Sequence, residues 1–184
     1  MMNQRKRSIL FLLFTAGLFA GVLFCTETTQ AKVKVTVKND ICTVSGKGAM
    51  TKPKSYNQKI KKVVIQNGVT SLPEEAFAGC LKLKKVSIAS SVKSIGACAF
   101  MQTDLCEITI PNSVKKLGNS VLSSCKKLTK IKMPGNVKIT YGSDEYFPVF
   151  QFDVDSPVKT IELTSSLNLE IFMYLSAENI VVSK

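Results

Sequence analysis

The side chains able to do chemistry in this chain are six cysteines, 25 lysines and arginines, and 13 carboxylates; histidine is absent. That absence removes Ser-His-Asp and Cys-His nucleophile pairs and every histidine-ligated metal. Zinc would need four cysteines or carboxylates gathered at one point, and no CxxC pair starts such a site. Asp153 and Asp155 hint only faintly at calcium, because no twelve-residue loop pattern surrounds them. Glu162 and Glu170 could form an acid and base pair, yet nothing near them argues for a pocket. The residues therefore call for no cofactor, no metal and no catalytic group. They point to a protein that binds rather than converts.

The elements that position these residues begin with a leader. Arg5, Lys6 and Arg7 precede an apolar run from Ile9 to Phe24, and a polar stretch then leads to Lys32. This order reads as a secretory signal peptide cleaved after Ala31, with Thr29 and Ala31 supplying the small residues. The run is 16 residues long, short of the ~20 that a spanning helix wants. An uncleaved anchor is the second choice, and lipidation of Cys25 is disfavoured by the bulky Phe24 before it. The mature chain is expected to be secreted or at the cell surface, with no membrane span. It would keep Cys42, Cys80, Cys98, Cys106 and Cys125, an odd set that cannot pair completely within one chain.

Charge is uneven. Residues 32–139 carry 20 lysines against five acids, whereas residues 140–184 carry two lysines against seven acids. A basic body with an acidic end favours anionic partners such as wall polymers, charged glycans, nucleic acid or anionic lipid.

The body repeats itself. VVIQNGVTSLPEEAFAGCLKL (63–83), VSIASSVKSIGACAFMQTDL (86–105) and ITIPNSVKKLGNSVLSSCKKL (108–128) align, and IKMPGNVKI (131–139) starts a fourth copy. The first apolar position is Val63, Val86, Ile108 and Ile131; the second is Ile65, Ile88, Ile110 and Met133. Residues two apart face inward from a short strand, and a turn and a return leg follow. Gly96, Gly118 or Pro73 then precedes one expected helical turn that inserts Phe77, Phe100 or Leu122. The second copy lacks one residue between Thr103 and Leu105, a loss expected to be absorbed in a turn. A single copy cannot bury enough apolar surface to fold alone, so copies must stack.

The order I-x-I-P-x-S-V-x-x-[IL]-G-x-x-A-F-x-x-C-x-x-L, carried best by 108–118, 68–80 and 91–100, resembles the BspA-like leucine-rich repeats of bacterial and protist surface proteins. The likeness covers residues 60–139. Thr103 departs from the column cysteine, and Val121-Leu122 departs from Ala-Phe. The resemblance implies a surface or secreted binding protein, with adhesion its usual suggestion, and brings no catalytic residues. The expected architecture is α/β but β-rich: a right-handed leucine-rich-repeat solenoid of about 4–6 coils with an N-terminal β-hairpin cap. Its divisions are 1–31 (signal peptide), 32–59 (β cap), 60–139 (repeats) and 140–184 (degenerate coil and C-terminal cap). In the last of these, Ile161 and Leu163 mimic Ile131 and Met133, and a final strand runs from Ile180 to Val182.

Stacking places the candidate partner-binding lysines in columns. Lys62, Lys85, Lys130 and Lys132 lie on the strand face; Lys93, Lys115 and Lys138, with Thr70, lie on the return leg. Each lysine alone fits a solvated surface somewhat better than a binding role, but the columns together make a grip for a polyanion. The expected partners are a protein or an anionic glycan or cell-wall polymer, without nucleic-acid specificity. The alternative is a structural protein that pairs through its open coil ends, the chain being otherwise a monomer or weakly self-associating. The aromatic segment 141–152 is expected to plug the irregular last coil rather than stack on sugars. Cys80 and Cys125, two coils apart in one column, are too distant to bridge and should be packed thiols.

Overall fold

A computed structural model describes residues 32–53, 58–140, 158–165 and 179–182. The leader, Cys25, the aromatic segment, Asp153, Asp155 and Glu170 lie outside the described residues.

The chain opens as a hairpin of β1 (Lys34–Lys38) and β2 (Ile41–Ser45), antiparallel, with Lys38 opposite Ile41. Asn39 and Asp40 form its turn with φ of 49° and 61°, the left-handed pair that a two-residue hairpin requires. Thereafter the chain winds in coils. Each coil gives one strand to an outer face: β4 (Lys62–Ile65), β6 (Lys85–Ile88), β8 (Glu107–Thr109), β10 (Lys130–Met133), β12 (Thr160–Leu163) and β13 (Asn179–Val182). The return leg gives a second strand: β3 (Gly48–Ala49), β5 (Val69–Leu72), β7 (Ser94–Ile95), β9 (Lys116–Gly118) and β11 (Lys138–Thr140). The return-leg strands form one continuous five-stranded sheet, β11-β9-β7-β5-β3.

Register follows the sequence columns. Val63 pairs with Val86, Ile65 with Ile88, Ile131 with Ile108, and Ile161 and Leu163 with Ile131 and Met133. The weak repeat beyond residue 157 is thus a true coil strand, and β13 stacks on it in parallel. The segment read as a cap also supplies coil strands, since β2 pairs with β4 and β3 with β5 in parallel. Inside lie Val69, Val92, Val114 and Val137, then Leu72, Ile95, Leu117 and Ile139, then Leu83, Leu105 and Leu128, all buried. Phe77 and Phe100 stack with centroids 5.7 Å apart and planes 9° from parallel.

No helix occurs among the described residues, so the expected helical turn is not one. Glu75, Cys98 and Ser120 hold positive φ at equivalent positions, and Gly79, Gln102 and Ser124 do so four residues later. Two left-handed residues per coil interrupt any helical run. The segment instead bonds to its neighbour coil: the Phe77 amide donates to Ala99 at 2.7 Å and the Phe100 amide to Val121 at 3.0 Å. These bonds give the coil a third stacked side.

The outer face is not one sheet. It divides into β1-β2-β4-β6 and β13-β12-β10-β8, with no ladder joining β6 to β8 among the described residues. The division falls where the second copy is one residue short. Core columns cross it intact, but the bond that the Lys84 amide donates to Lys61, and the Thr129 amide to Cys106, has no counterpart from Cys106 to Lys84 among the described residues. Pro111, which stands where Ala89 donates to Ile65 one coil earlier, has no N–H to give Ile88. The expectation that a turn absorbs the shortening thus holds for the core and fails for the backbone. Ser113 sits at the same junction. One coil back, the Ser91 hydroxyl accepts from Gly68 and donates to Val69, whereas the buried Ser113 hydroxyl finds no partner among the described residues.

Candidate functional site

The return leg presents the clearest charged surface. Its backbone is a chain of coil-to-coil bonds: the Lys93 amide donates to Thr70 at 2.7 Å, Lys115 to Lys93 at 2.8 Å, and Lys138 to Lys115 at 2.9 Å. This bonding fixes the Cα positions of the column at the interstrand spacing of about 4.8 Å. In register, Lys138 lies level with Lys116, and Lys116 with Ser94. The fourth copy has one residue between Val137 and Ile139 where the third has two between Val114 and Leu117, which draws Lys138 alongside Lys116. Counting forward from the valine column placed Lys138 beside Lys115 and missed Lys116; counting back from Leu117 and Ile139 would have found it. Lys93, Lys115, Lys116 and Lys138 are all exposed, and none forms an ion pair among the described residues.

The strand-face lysines do not make one stripe. Lys62 and Lys85 are register partners on the first outer sheet. Lys130 and Lys132 stand on the second, where Glu107 is the register partner of Lys130. Glu162 takes both: Lys132 donates a hydrogen bond to it, and Lys130 lies 3.6 Å away. The Lys132 hydrogen bond, with the charges of Lys132 and Lys130, holds the Glu162 carboxyl below the usual carboxylate range, although desolvation works the other way. Two of the four strand-face lysines therefore share one carboxylate, which offsets one of their two charges. Elsewhere Lys61 pairs with Asp40 at 2.9 Å and Lys127 with Asp104 at 2.7 Å.

Between β6 and β8 the parted ladder opens a crevice of about 580 Å³. Its floor is apolar, with Val86 and Ile108, and its walls carry Lys84 and Lys85 on one side and Glu107 on the other, beyond which it reaches Lys130, Lys132 and Glu162. On β6, Val86 and, just beyond the crevice, Ile88 are half-buried, whereas Val63, Ile65, Ile131 and Met133 in the same columns are fully buried. Cys106, at the rim, is exposed.

The other cysteines are interior. Cys42, Cys80 and Cys125 are buried free thiols, and Cys98 is half-buried. Burial pushes the Cys42 and Cys80 thiols up to about 11, which makes them poor nucleophiles. In the cysteine column Thr103 donates to the Phe100 carbonyl at 3.0 Å, and the Cys125 thiol reaches the same oxygen at 3.2 Å. A hydroxyl satisfied this way can replace a thiol in a core at little cost.

Comparison with known proteins agrees with this geometry. Two solved structures share the fold. One is a leucine-rich repeat protein from Eubacterium ventriosum ATCC 27560, 23% identical with a TM-score of 0.51 over 72% of this chain and 42% of that one. The other is a leucine-rich repeat protein of T. pallidum, 22% identical with a TM-score of 0.51 over 75% of this chain and 71% of that one. The chain spans about two-fifths of the Eubacterium protein's length. No curated protein matches it. The BspA type leucine rich repeat region matches residues 54–164 in six copies, over the same coils whose apolar columns build the core, and the chain belongs to that leucine-rich repeat family.

Proposed function

We propose that this protein is an exported recognition module, secreted or held at the cell surface, that adheres to an anionic glycan, a cell-wall polymer or an acidic protein surface without catalysis. One observation carries the reading: Lys93, Lys115, Lys116 and Lys138 form an exposed cluster on a laddered sheet, with no carboxylate paired to any of them among the described residues. Like charges at this spacing repel by roughly 1 kcal/mol per pair in water before salt screening. A polyanion relieves that repulsion and releases its own counterions on binding. The expected signature is retention on heparin-agarose or anionic wall polymer at physiological salt, lost when the four lysines become glutamate. Passage through the column unretained even at low salt would refute it. Export is supported by Arg5, Lys6 and Arg7 ahead of the apolar run, and N-terminal sequencing of protein from the culture medium should begin at Lys32.

A second reading, self-assembly through an open coil end, rests on β1. All five of its residues are exposed, and its outer edge has no neighbour among the described residues. Val35, Val37 and Ile41 are 39%, 43% and 39% exposed at that end. Lys34 and Lys38 flank the edge, and lysine at an edge discourages pairing. Sedimentation that is independent of concentration would remove this reading.

A further inference from the structure

The crevice between β6 and β8 lies on another face from the lysine column and needs its own account. Three properties define its occupant. Its floor exposes Val86, and the half-buried Ile88 follows two residues along the same strand, in columns that are sealed in the β4 and β10 coils, so apolar side chains gain by covering them. Lys84 and Lys85 on one wall, and Glu107 on the other, form no ion pair among the described residues. The unmatched charge is net positive and sits beside the apolar floor. Finally, the crevice is open to solvent, with a volume of about 580 Å³, which suits an extended segment lying along it rather than an enclosed small molecule.

These properties discriminate among ligand classes. A sugar ring would want an aromatic face to stack on, and the lining contains no aromatic residue among the described residues. An acyl chain would want an enclosed apolar tunnel, and this crevice is open along a lysine wall. A peptide that alternates aliphatic and acidic side chains meets both demands. Its aliphatic groups cover Val86 and Ile88, its carboxylates reach Lys84 and Lys85, and its amides face strand edges that carry no ladder. We propose that the crevice docks an extended acidic peptide segment of a partner protein.

Cys106 on the rim is a built-in reporter, because an occupant of the crevice shields its thiol. The full chain is treated with iodoacetamide, and carbamidomethylation of Cys106 is followed by tandem mass spectrometry of the tryptic peptide 94–115, whose fragment ions distinguish it from Cys98 in the same peptide. The probe is a capped hexapeptide of alternating valine and glutamate at millimolar concentration. Labelling should slow about tenfold, the alternating valine and lysine hexapeptide should leave it unchanged, and Lys84→Glu should abolish the protection. Unaltered labelling with the acidic peptide overturns the proposal, as does equal protection by the basic one. Protection by a glucuronate oligosaccharide but not by the peptide overturns it too, in favour of a glycan site. Heparin retention, measured on the same sample, reports the return-leg lysines separately, so either assignment can fail without the other.

Discussion

Gly118→Ala should cost far more stability than Gly79→Ala, although on conformational grounds alone the order would be reversed. Gly79 has φ +70°, and a methyl there would meet nothing within 4 Å. Its replacement therefore costs only the left-handed penalty of roughly 1–2 kcal/mol. Gly118 has an ordinary φ, but a Cβ would sit 2.1 Å from the Ala97 nitrogen and 2.4 Å from both the Ala97 Cα and the Gly96 carbonyl carbon. These are backbone atoms of the preceding coil and cannot rotate away. Reaching even a tight contact of 3.0 Å requires the coils to part by about 1 Å, enough to break amide bonds that begin near 3 Å. The Cys98 amide to Asn119 at 3.0 Å and the Lys116 amide to Lys93 at 3.2 Å flank the site. Loss of two or three such bonds, with loosened packing of Ile95 on Leu117, comes to roughly 3–5 kcal/mol. Urea unfolding followed by circular dichroism would show this as a midpoint lowered by about 2 M at a slope of ~2 kcal/mol/M. If Gly118→Ala unfolds at or above the midpoint of Gly79→Ala, the idea that glycine sets the coil spacing is wrong.

Phe77→Ala and Phe100→Ala should each lower stability by about 3–5 kcal/mol. The double mutant should fall short of additivity by about 0.5–1.5 kcal/mol for the lost ring stack, measured as a double-mutant cycle in urea. The buried Cys42 and Cys80 thiols have folded values near 11 against an ordinary 9.0. Their contribution is thus whole below pH 9 and lost as pH rises towards 11. Urea midpoints taken from pH 8 to 11 should fall less steeply in Cys42→Val/Cys80→Val than in the native chain. A lysine inserted between Asp104 and Leu105, combined with Pro111→Ala, should restore the ladder between β6 and β8. Covering Val86 and Ile88 would then raise stability by about 1–3 kcal/mol and slow alkylation of Cys106; unchanged alkylation would show that the missing residue is not what parts the sheets.

How much of this could be read from residues alone depended on whether the property belonged to one coil or to a junction. The inward columns were legible because burial repeats with the sequence: Val92, Ile95 and Leu105 are interior wherever their neighbours are. Ile161 and Leu163 were found by the same rule after a long interruption. The left-handed backbone at Glu75, Cys98 and Ser120 was not legible, since none of these is a residue type that advertises positive φ, and a helical turn was the natural guess. Nor could the parted ladder be read. The missing residue after Thr103 was visible, but whether strand, turn or core would yield depends on how two coils meet. The strand-face lysines failed for a similar reason, because the partner of Lys130 and Lys132 is Glu162, a coil beyond the clear repeats.

At the junction of the second and third coils, the return-leg strands remain laddered through Ser94–Lys116 and Ile95–Leu117, and the turn segments remain bonded through Cys98–Asn119 and Phe100–Val121. Only the strand side is unstitched. The stack therefore behaves there like a bound book: it can gape along the fore-edge while the spine holds, and it resists folding the other way. Load applied along the axis would concentrate at this joint first, giving the rod a preferred direction of bend between two stiffer halves.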